Sequence, residues 1–284
     1  MQKNVSLARY TTFRIGGPAT HFFEPRTAEE LRNTCKVVRR RRDWPVYILG
    51  GGSNLLISDD GVDGAVVCMR RFERRYIRRF GNLLRVSAGV PLRRVLSATV
   101  RWGLSGLEGL AGVPGTVGGA ISMNAGACDV SMGGFVSFVE VMDARGRVER
   151  LPGDGVPWLY RGADFGGRVV TFAELELRTA PPDEVEARMT QAFEAKRASQ
   201  PLSLPSAGCF FKNPEVGAAG RLLDMAGLKG LGSGGAAVSR KHANFIVNRG
   251  GATAADVLNL VRIIRRAVRN LFDVDLEPEV CVWP

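Results

Sequence analysis

Between Gly103 and Gly118 a glycine recurs at every third position: Gly103, Gly106, Gly109, Gly112, Gly115 and Gly118, with Gly119 beside the last. Leucine or valine fills many of the gaps, and Pro114 lies inside the run. Residues without a Cβ let a backbone turn tightly and let a second group approach its amides. So short a run, with one internal proline, cannot build a collagen triple helix. Residues 109–128 carry no formal charge, yet so many glycines and a proline make a poor lipid-spanning helix. A buried glycine loop lying against a cofactor is expected instead, and this points to an enzyme. A second candidate is Gly50-Gly51-Gly52-Ser53-Asn54. Consecutive amides there can converge on a pyrophosphate, with Ser53 and Asn54 adding side-chain hydrogen bonds. The spacing is not GxGxxG, so it is no Rossmann fingerprint. Combined with the longer run and Met123-Asn124-Ala125-Gly126, it suggests a dinucleotide lying along backbone.

The elements that must position these loops read as α/β in the first third. Thr27 and Glu30 form a capping box that opens a helix with Leu31, Cys35 and Val38 on one side. The arginines at positions 39–42 suit the negative end of its dipole. Val46-Tyr47-Ile48-Leu49 is a short strand running straight into the triple glycine, and Gly64-Ala65-Val66-Val67-Cys68 is a second strand after the Asp59-Asp60-Gly61 turn. Leu83-Leu84-Arg85-Val86 is a further strand, and Pro91 starts a helix with Leu92, Val95, Leu96 and Val100 on one face. Past the glycine run, residues 136–142 and 147–151 form a hairpin about Asp143-Ala144-Arg145-Gly146, and residues 169–177 alternate like a half-buried strand. Pro181-Pro182 marks a boundary, followed by a helix over 184–199 and a loop-rich stretch from Pro201 to Pro214. Thr253-Ala254-Ala255-Asp256 caps a long helix carrying Val257, Leu260, Val261, Ile264, Val268 and Leu271. Residues 276–280 are expected to return as a strand.

At 284 residues the chain suits one large or two modest domains. Its apolar and charged fractions, 45% and 24%, are those of an ordinary soluble globular protein. The N-terminus, MQKNVSLARY, lacks the apolar stretch of a signal peptide, so a cytoplasmic location is expected. Cys35, Cys68, Cys128, Cys209 and Cys281 form no close pair, which suggests neither a zinc site nor a CxxC redox motif. The formal charge of +11 comes almost wholly from arginine, clustered at 39–42 and at 70–79. With no nucleic-acid module alongside it, this charge is expected to steer an acidic nucleotide substrate rather than to bind nucleic acid.

These residues assemble into a recognisable order. Nearly the whole chain resembles the UDP-N-acetylenolpyruvoylglucosamine reductase family, flavoenzymes that complete UDP-N-acetylmuramate in bacterial cell-wall synthesis. The matching blocks begin with Tyr10-Thr11-Thr12-Phe13-Arg14-Ile15-Gly16-Gly17-Pro18-Ala19 and Leu49-Gly50-Gly51-Gly52-Ser53-Asn54-Leu55-Leu56. They continue through the glycine run, Met123-Asn124-Ala125-Gly126-Ala127 and Tyr160-Arg161. Lys196-Arg197, Pro205-Ser206-Ala207-Gly208-Cys209 and Phe211-Lys212-Asn213-Pro214 come next. His242-Ala243-Asn244-Phe245-Ile246-Val247-Asn248 and Leu276-Glu277-Pro278-Glu279-Val280 close the set. Each block alone is modest; so many in one order are specific.

The resemblance implies an α+β protein: a two-lobed FAD-binding domain of the vanillyl-alcohol-oxidase type and a C-terminal α+β substrate-binding domain. The implied boundaries are 1–70 for the first lobe, 71–180 for the second, 181–272 for the substrate domain and 273–284 for a returning segment. FAD would be non-covalent, since neither His21 nor His242 lies in a glycine block, and NADPH would be the reductant. Gly50, Gly51, Gly52, Ser53 and Asn54 would contact FAD, as would Gly112, Pro114, Gly115, Thr116, Gly118, Gly119, Ala120, Asn124, Ala125 and Gly126. By the same resemblance Arg161 binds the enolpyruvyl carboxylate, a planar anion that suits a guanidinium fork. Glu279 stabilises the enol form, with Glu277 as a nearby rival. Cys209 donates the proton to carbon, at a position where many members carry serine. A thiol of pKa about 8.5 is mostly protonated at neutral pH and is a far better acid than an alcohol. Tyr160, Lys212 and Asn213 would contact the UDP-sugar, and Lys196 and Arg197 its UDP portion or the loop beside it. Met123, Phe210 and Phe211 read as core.

Two departures stand out: Ala163 replaces a serine frequent two places after the arginine, and the chain stops soon after Glu279. The compact spacing from Arg161 to the C-terminal domain matches the shorter form of the family, without a tyrosine-bearing flap. The implied partners are UDP-N-acetylglucosamine enolpyruvate and NADPH, acting on a monomer with no specific nucleic acid and no membrane insertion. The rivals are an FAD oxidoreductase of this fold with another substrate, and a non-catalytic flavin- or UDP-sugar-binding paralogue.

Overall fold

The structure, a computed structural model, describes residues 1–127 and 130–284; Cys128, one of the five cysteines, lies outside them. The chain folds as two compact α+β units that interleave in sequence. One comprises 1–2, 21–51 and 64–196; the other comprises 3–20, 52–63 and 197–284.

The first unit is built on a five-stranded antiparallel sheet of order Val148–Pro152, Val136–Met142, Val169–Glu176, Leu83–Ser87, Ile77–Phe80. Side chains alternate across a strand. Leu84, Val86, Val139, Val141, Ala173 and Leu175 accordingly face a core shared with Leu92, Val95, Val117 and Ile121. The opposite face carries Arg85 paired to Glu140 at 3.1 Å and Arg150 paired to Glu174 at 2.5 Å, so part of the arginine excess is tied into a cross-strand charge ladder. Pro91 does precede the helix Leu92–Trp102, which buries Leu92, Val95 and Leu96 and ends at Gly103. The helix Ala28–Arg39 is capped by the Thr27 hydroxyl, which accepts from the Glu30 amide. Its Glu30 carboxylate reaches one residue further back than a capping box requires, accepting from the Arg26 amide at 2.7 Å. Strand Val46–Leu49 lies parallel to residues 65–68, and it delivers the chain to Gly50 at the end of a ladder.

The glycine run is not all loop. Its last third winds into the short helix Val117–Ser122, although glycine is a poor helix former. Close packing replaces propensity there. A Cβ on Gly118 would stand 2.7 Å from the Ala88 Cβ, and the Gly118 amide donates to the Ala88 carbonyl at 2.9 Å.

The second unit carries a sheet of order Ser206–Cys209, Phe245–Asn248, Ala236–Val238, Gly232–Ser233. The final helix, Ala254–Phe272, buries Val257, Leu260, Val261, Ile264 and Val268 in the core of this unit. Thr253 and Asp256 form its capping box. Asp59 adds a second cap, accepting from the Ala254 and Ala255 amides at 2.8 and 3.1 Å. The C-terminal strand lies later than expected, at Cys281–Trp283, in parallel pairing with Leu55–Ile57. Residues 276–280 form no strand; they are held by the isolated Phe211–Pro278 bridge and by single backbone bonds.

Candidate active site

Two glycine turns meet inside the first unit. A Cβ on Gly51 would fall 2.4 Å from the Gly115 Cα, and one on Gly50 would fall 3.0 Å from the Thr116 Oγ1. Only residues without side chains let two backbones approach this closely. Thr116 Oγ1 is buried and has no hydrogen-bond partner among the described residues. A buried hydroxyl left unpaired is costly, and this one lies against the Gly50–Gly51 backbone. Arg70 places a cation at the same turn, its Nη2 donating to the Gly51 carbonyl at 2.6 Å. Close-packed amide-rich backbone, an unpaired hydroxyl and a guanidinium together fit the diphosphate of a dinucleotide.

The glycine loop upstream is tethered to the helix Pro182–Ser199. The Glu108 carboxylate accepts from Ser105 Oγ at 2.8 Å, the Gly106 amide at 2.6 Å and Arg188 Nε at 3.1 Å. Burial opposes its charge, but these donors and its own amide outweigh it and hold the carboxyl below its ordinary range. Lys196 is buried near the helix end, donating to the carbonyls of Gly109 and Ala111 at 3.3 and 2.7 Å. These bonds tie Lys196 to the glycine run rather than to the 201–214 loop.

Arg161 stands at φ 61°, in the left-handed region, and its Nη1 donates to the Gly126 carbonyl at 2.9 Å. Its guanidinium lies 5.1 Å from the centre of the exposed Tyr160 ring. Asn124, itself at φ 41°, braces this arrangement. Its Nδ2 donates to the Leu159 carbonyl at 3.0 Å, and its Oδ1 accepts from the Gly133 amide at 2.9 Å. Both ends of the Asn124 amide are therefore engaged within the protein, and residues 123–127 and 159–161 form one braced corner. Ala163 pairs with Trp158 in the small hairpin that carries Arg161.

Cys209 and Glu279 belong to the second unit. Cys209 is half-buried at the end of its strand, opposite Phe245, just after an irregularity in register. The backbone beyond it is held tightly. Asn244, 2% exposed, accepts from the Phe211 amide at 2.9 Å and donates to the Phe211 carbonyl at 2.8 Å. Phe210 and Phe211 are core residues, as expected. The Glu279 amide donates to the Phe210 carbonyl at 2.8 Å, so the cysteine strand and the Glu279 segment are directly bonded. The two glutamates separate cleanly. Glu277 is exposed and paired with Lys212 at 3.2 Å. Glu279 is half-buried, and its charge, together with burial, pushes the Cys281 thiol above its ordinary range. Asn213 Oδ1 accepts from the Ala219 amide at 3.1 Å, capping the helix Ala219–Met225.

Sequence reasoning did not single out Arg70, Glu108, Asp59 or Thr12. Thr12 donates to the Ser206 carbonyl at 2.7 Å, and its amide bonds the Gly52 carbonyl at 2.9 Å. No short motif marks such long-range pairs; Arg70 was visible only as one member of an arginine cluster.

Paired glycine turns with a buried hydroxyl left unpaired among the described residues, beside an antiparallel sheet, suit a dinucleotide-binding protein, and residues 19–152 match the family model described as FAD binding domain, which makes the class a flavin-binding one. Residues 200–283 match the model of the UDP-N-acetylenolpyruvoylglucosamine reductase C-terminal domain. The UDP-N-acetylenolpyruvoylglucosamine reductase of Moorella thermoacetica is 45% identical over 99% of this chain and 92% of its own length. A second reductase of that name, from Symbiobacterium thermophilum, is 43% identical over 98% and 90%. The crystal structure of the Thermus caldophilus reductase superposes with a TM-score of 0.85 at 40% identity, covering 99% of this chain and 98% of that one. The chain belongs to the UDP-N-acetylenolpyruvoylglucosamine reductase family.

Proposed function

We propose that Arg161, Cys209 and Glu279 carry the reaction of this family in this chain: NADPH-dependent reduction of UDP-N-acetylglucosamine enolpyruvate to UDP-N-acetylmuramate, in peptidoglycan precursor synthesis. FAD, when bound, supplies the chemistry of passing the hydride equivalent of NADPH to the enolpyruvyl methylene carbon. Residues 50–54 and 112–120 would hold its diphosphate through their backbone, with Thr116 Oγ1 and the Arg70 cation as the side-chain contributors, and residues 124–126 would line the site through theirs. The Arg161 guanidinium binds the substrate carboxylate and stays charged as electron density builds toward it. Glu279 hydrogen-bonds the enol form of that carboxyl group. Cys209 Sγ holds a proton and delivers it to the carbon bearing the carboxylate, leaving a thiolate that solvent reprotonates. Tyr160, Lys212 and Asn213 orient the UDP-sugar.

In this reading residues 1–70 and 71–180 serve FAD, 181–272 serve the sugar nucleotide, and 273–284 return Glu279. The protein acts as a cytoplasmic monomer. The observation that supports the proposal most is the backbone bond from the Glu279 amide to the carbonyl of Phe210, the residue that follows Cys209, which brings the backbone at these two positions together. Mixing the purified protein anaerobically with NADPH should bleach the flavin absorbance, and adding the enolpyruvyl UDP-sugar should restore it. Bleaching without restoration would assign the chain another substrate.

A further inference from the structure

Glu279 is gripped through both of its own backbone polar groups. Its amide donates to the Phe210 carbonyl at 2.8 Å, and its carbonyl accepts from Asn54 Nδ2 at 3.0 Å. Asn54 makes the contact twice over, because its own carbonyl accepts from the Cys281 amide at 3.0 Å. Beyond these two bonds the chain settles into the parallel pairing of Leu55–Ile57 with Cys281–Trp283. Residues 276–280 have no strand of their own, and these bonds help to fix the Glu279 backbone.

We propose that Asn54 is a positioning residue for Glu279, acting on the substrate half of the reaction through that glutamate rather than as a side-chain ligand of the cofactor. The Asn54 amide donor is committed to a protein carbonyl, which leaves the amides of the preceding glycines to serve the diphosphate. Its place immediately after Gly50-Gly51-Gly52-Ser53 makes the last residue of the cofactor turn the first residue of the clamp on Glu279. Aspartate at this position would set a carboxylate oxygen against the Glu279 carbonyl and turn attraction into repulsion. Alanine would leave the carbonyl without its donor.

This inference rests on the role proposed for Glu279, and a mutant cycle separates the two. Asn54→Ala, Asn54→Asp, Glu279→Gln and Asn54→Ala/Glu279→Gln are purified as full-length holoenzymes, with wild type as reference. The rate of flavin reoxidation by the enolpyruvyl UDP-sugar is measured, and FAD affinity is read separately by fluorescence titration of each apoprotein. Loss of one hydrogen bond predicts about a tenfold slower reoxidation for Asn54→Ala, and Asn54→Asp should be slower still. FAD affinity should stay within about twofold of wild type, because no cofactor contact is lost. On the Glu279→Gln background, Asn54→Ala should add little, as expected for two groups acting as one unit. Full multiplication of the two effects would overturn the inference, as would FAD affinity falling tenfold with reoxidation unchanged. If Glu279→Gln itself reoxidises at the wild-type rate, the role of Glu279 fails and the inference falls with it. Should Asn54→Ala fail to fold, Asn54→Ser, whose shorter polar side chain draws the donor back from the Glu279 carbonyl, takes its place, and wild-type FAD affinity with slowed reoxidation is again the expected pattern.

Discussion

Arg161 occupies a backbone conformation that L-residues avoid, at a cost of about 1–2 kcal/mol. The surrounding corner holds it there: Gly126 accepts one guanidinium nitrogen, and Asn124 pins the Leu159 carbonyl two residues earlier. A strained residue held by several bonds is a place where geometry matters more than stability. Arg161→Ala should therefore keep its flavin while kcat/KM for the enolpyruvyl substrate falls about 10²–10³-fold, the usual loss for one preorganised charge-stabilising group. A binding spectrum showing flavin lost and the remaining holoenzyme fully active would contradict that assignment. The roles proposed for Arg161, Cys209 and Glu279 come only from the order of the sequence blocks. No spacing rule selects one arginine among so many, and the bonds that aim it come from residues 35 positions away or more.

At the scale of elements, the cradle and its tether make separate predictions. Thr116→Val removes a buried hydroxyl that has no hydrogen-bond partner among the described residues, so apoprotein stability should hardly change. FAD affinity measured by titration should weaken about fivefold, the value of one neutral hydrogen bond. The Glu108 tether makes a pH prediction. Its folded pKa is depressed, so its contribution is complete above the unfolded carboxyl value and is lost as pH falls through the folded one. Glu108→Gln should cost about 1.5–3 kcal/mol near neutrality, and denaturant midpoints of the two proteins should converge in acid. A constant gap across pH would show that the tether is not ionic. Much of this scale was legible. Capping at Thr253 and Asp256, the strand at Val169–Glu176 and the apolar face of Leu92–Trp102 follow from local chemistry. The helix Val117–Ser122 was not legible, because packing against Ala88 overrides glycine's propensity. Nor was the strand at Cys281–Trp283, whose register is set by Leu55–Ile57 far away in sequence.

Across the whole molecule, the chain visits each compact unit more than once. Residues 3–20 and 52–63 group with the C-terminal third, and they do so through particular side chains. Thr12 holds Ser206, Asn54 holds Glu279, Asp59 caps the final helix, and Asn248 donates to the Phe13 carbonyl at 3.1 Å. Proline and glycine punctuation marks linear boundaries and carries no signal for such interleaving. The N-terminal blocks of the family thus acquire a physical reason: they build the unit that holds Cys209 and Glu279. On the roles proposed above, flavin reduction and carbon protonation depend on different residues, and Cys209 serves only the second. Cys209→Ala should be followed by anaerobic stopped flow, first with NADPH and then with the enolpyruvyl UDP-sugar. Bleaching by NADPH should keep the wild-type rate and recovery should slow about 10²-fold or more, the lower range for a lost general acid, with Cys209→Ser restoring part of the rate. Equal slowing of both phases, or recovery at the wild-type rate, would contradict it.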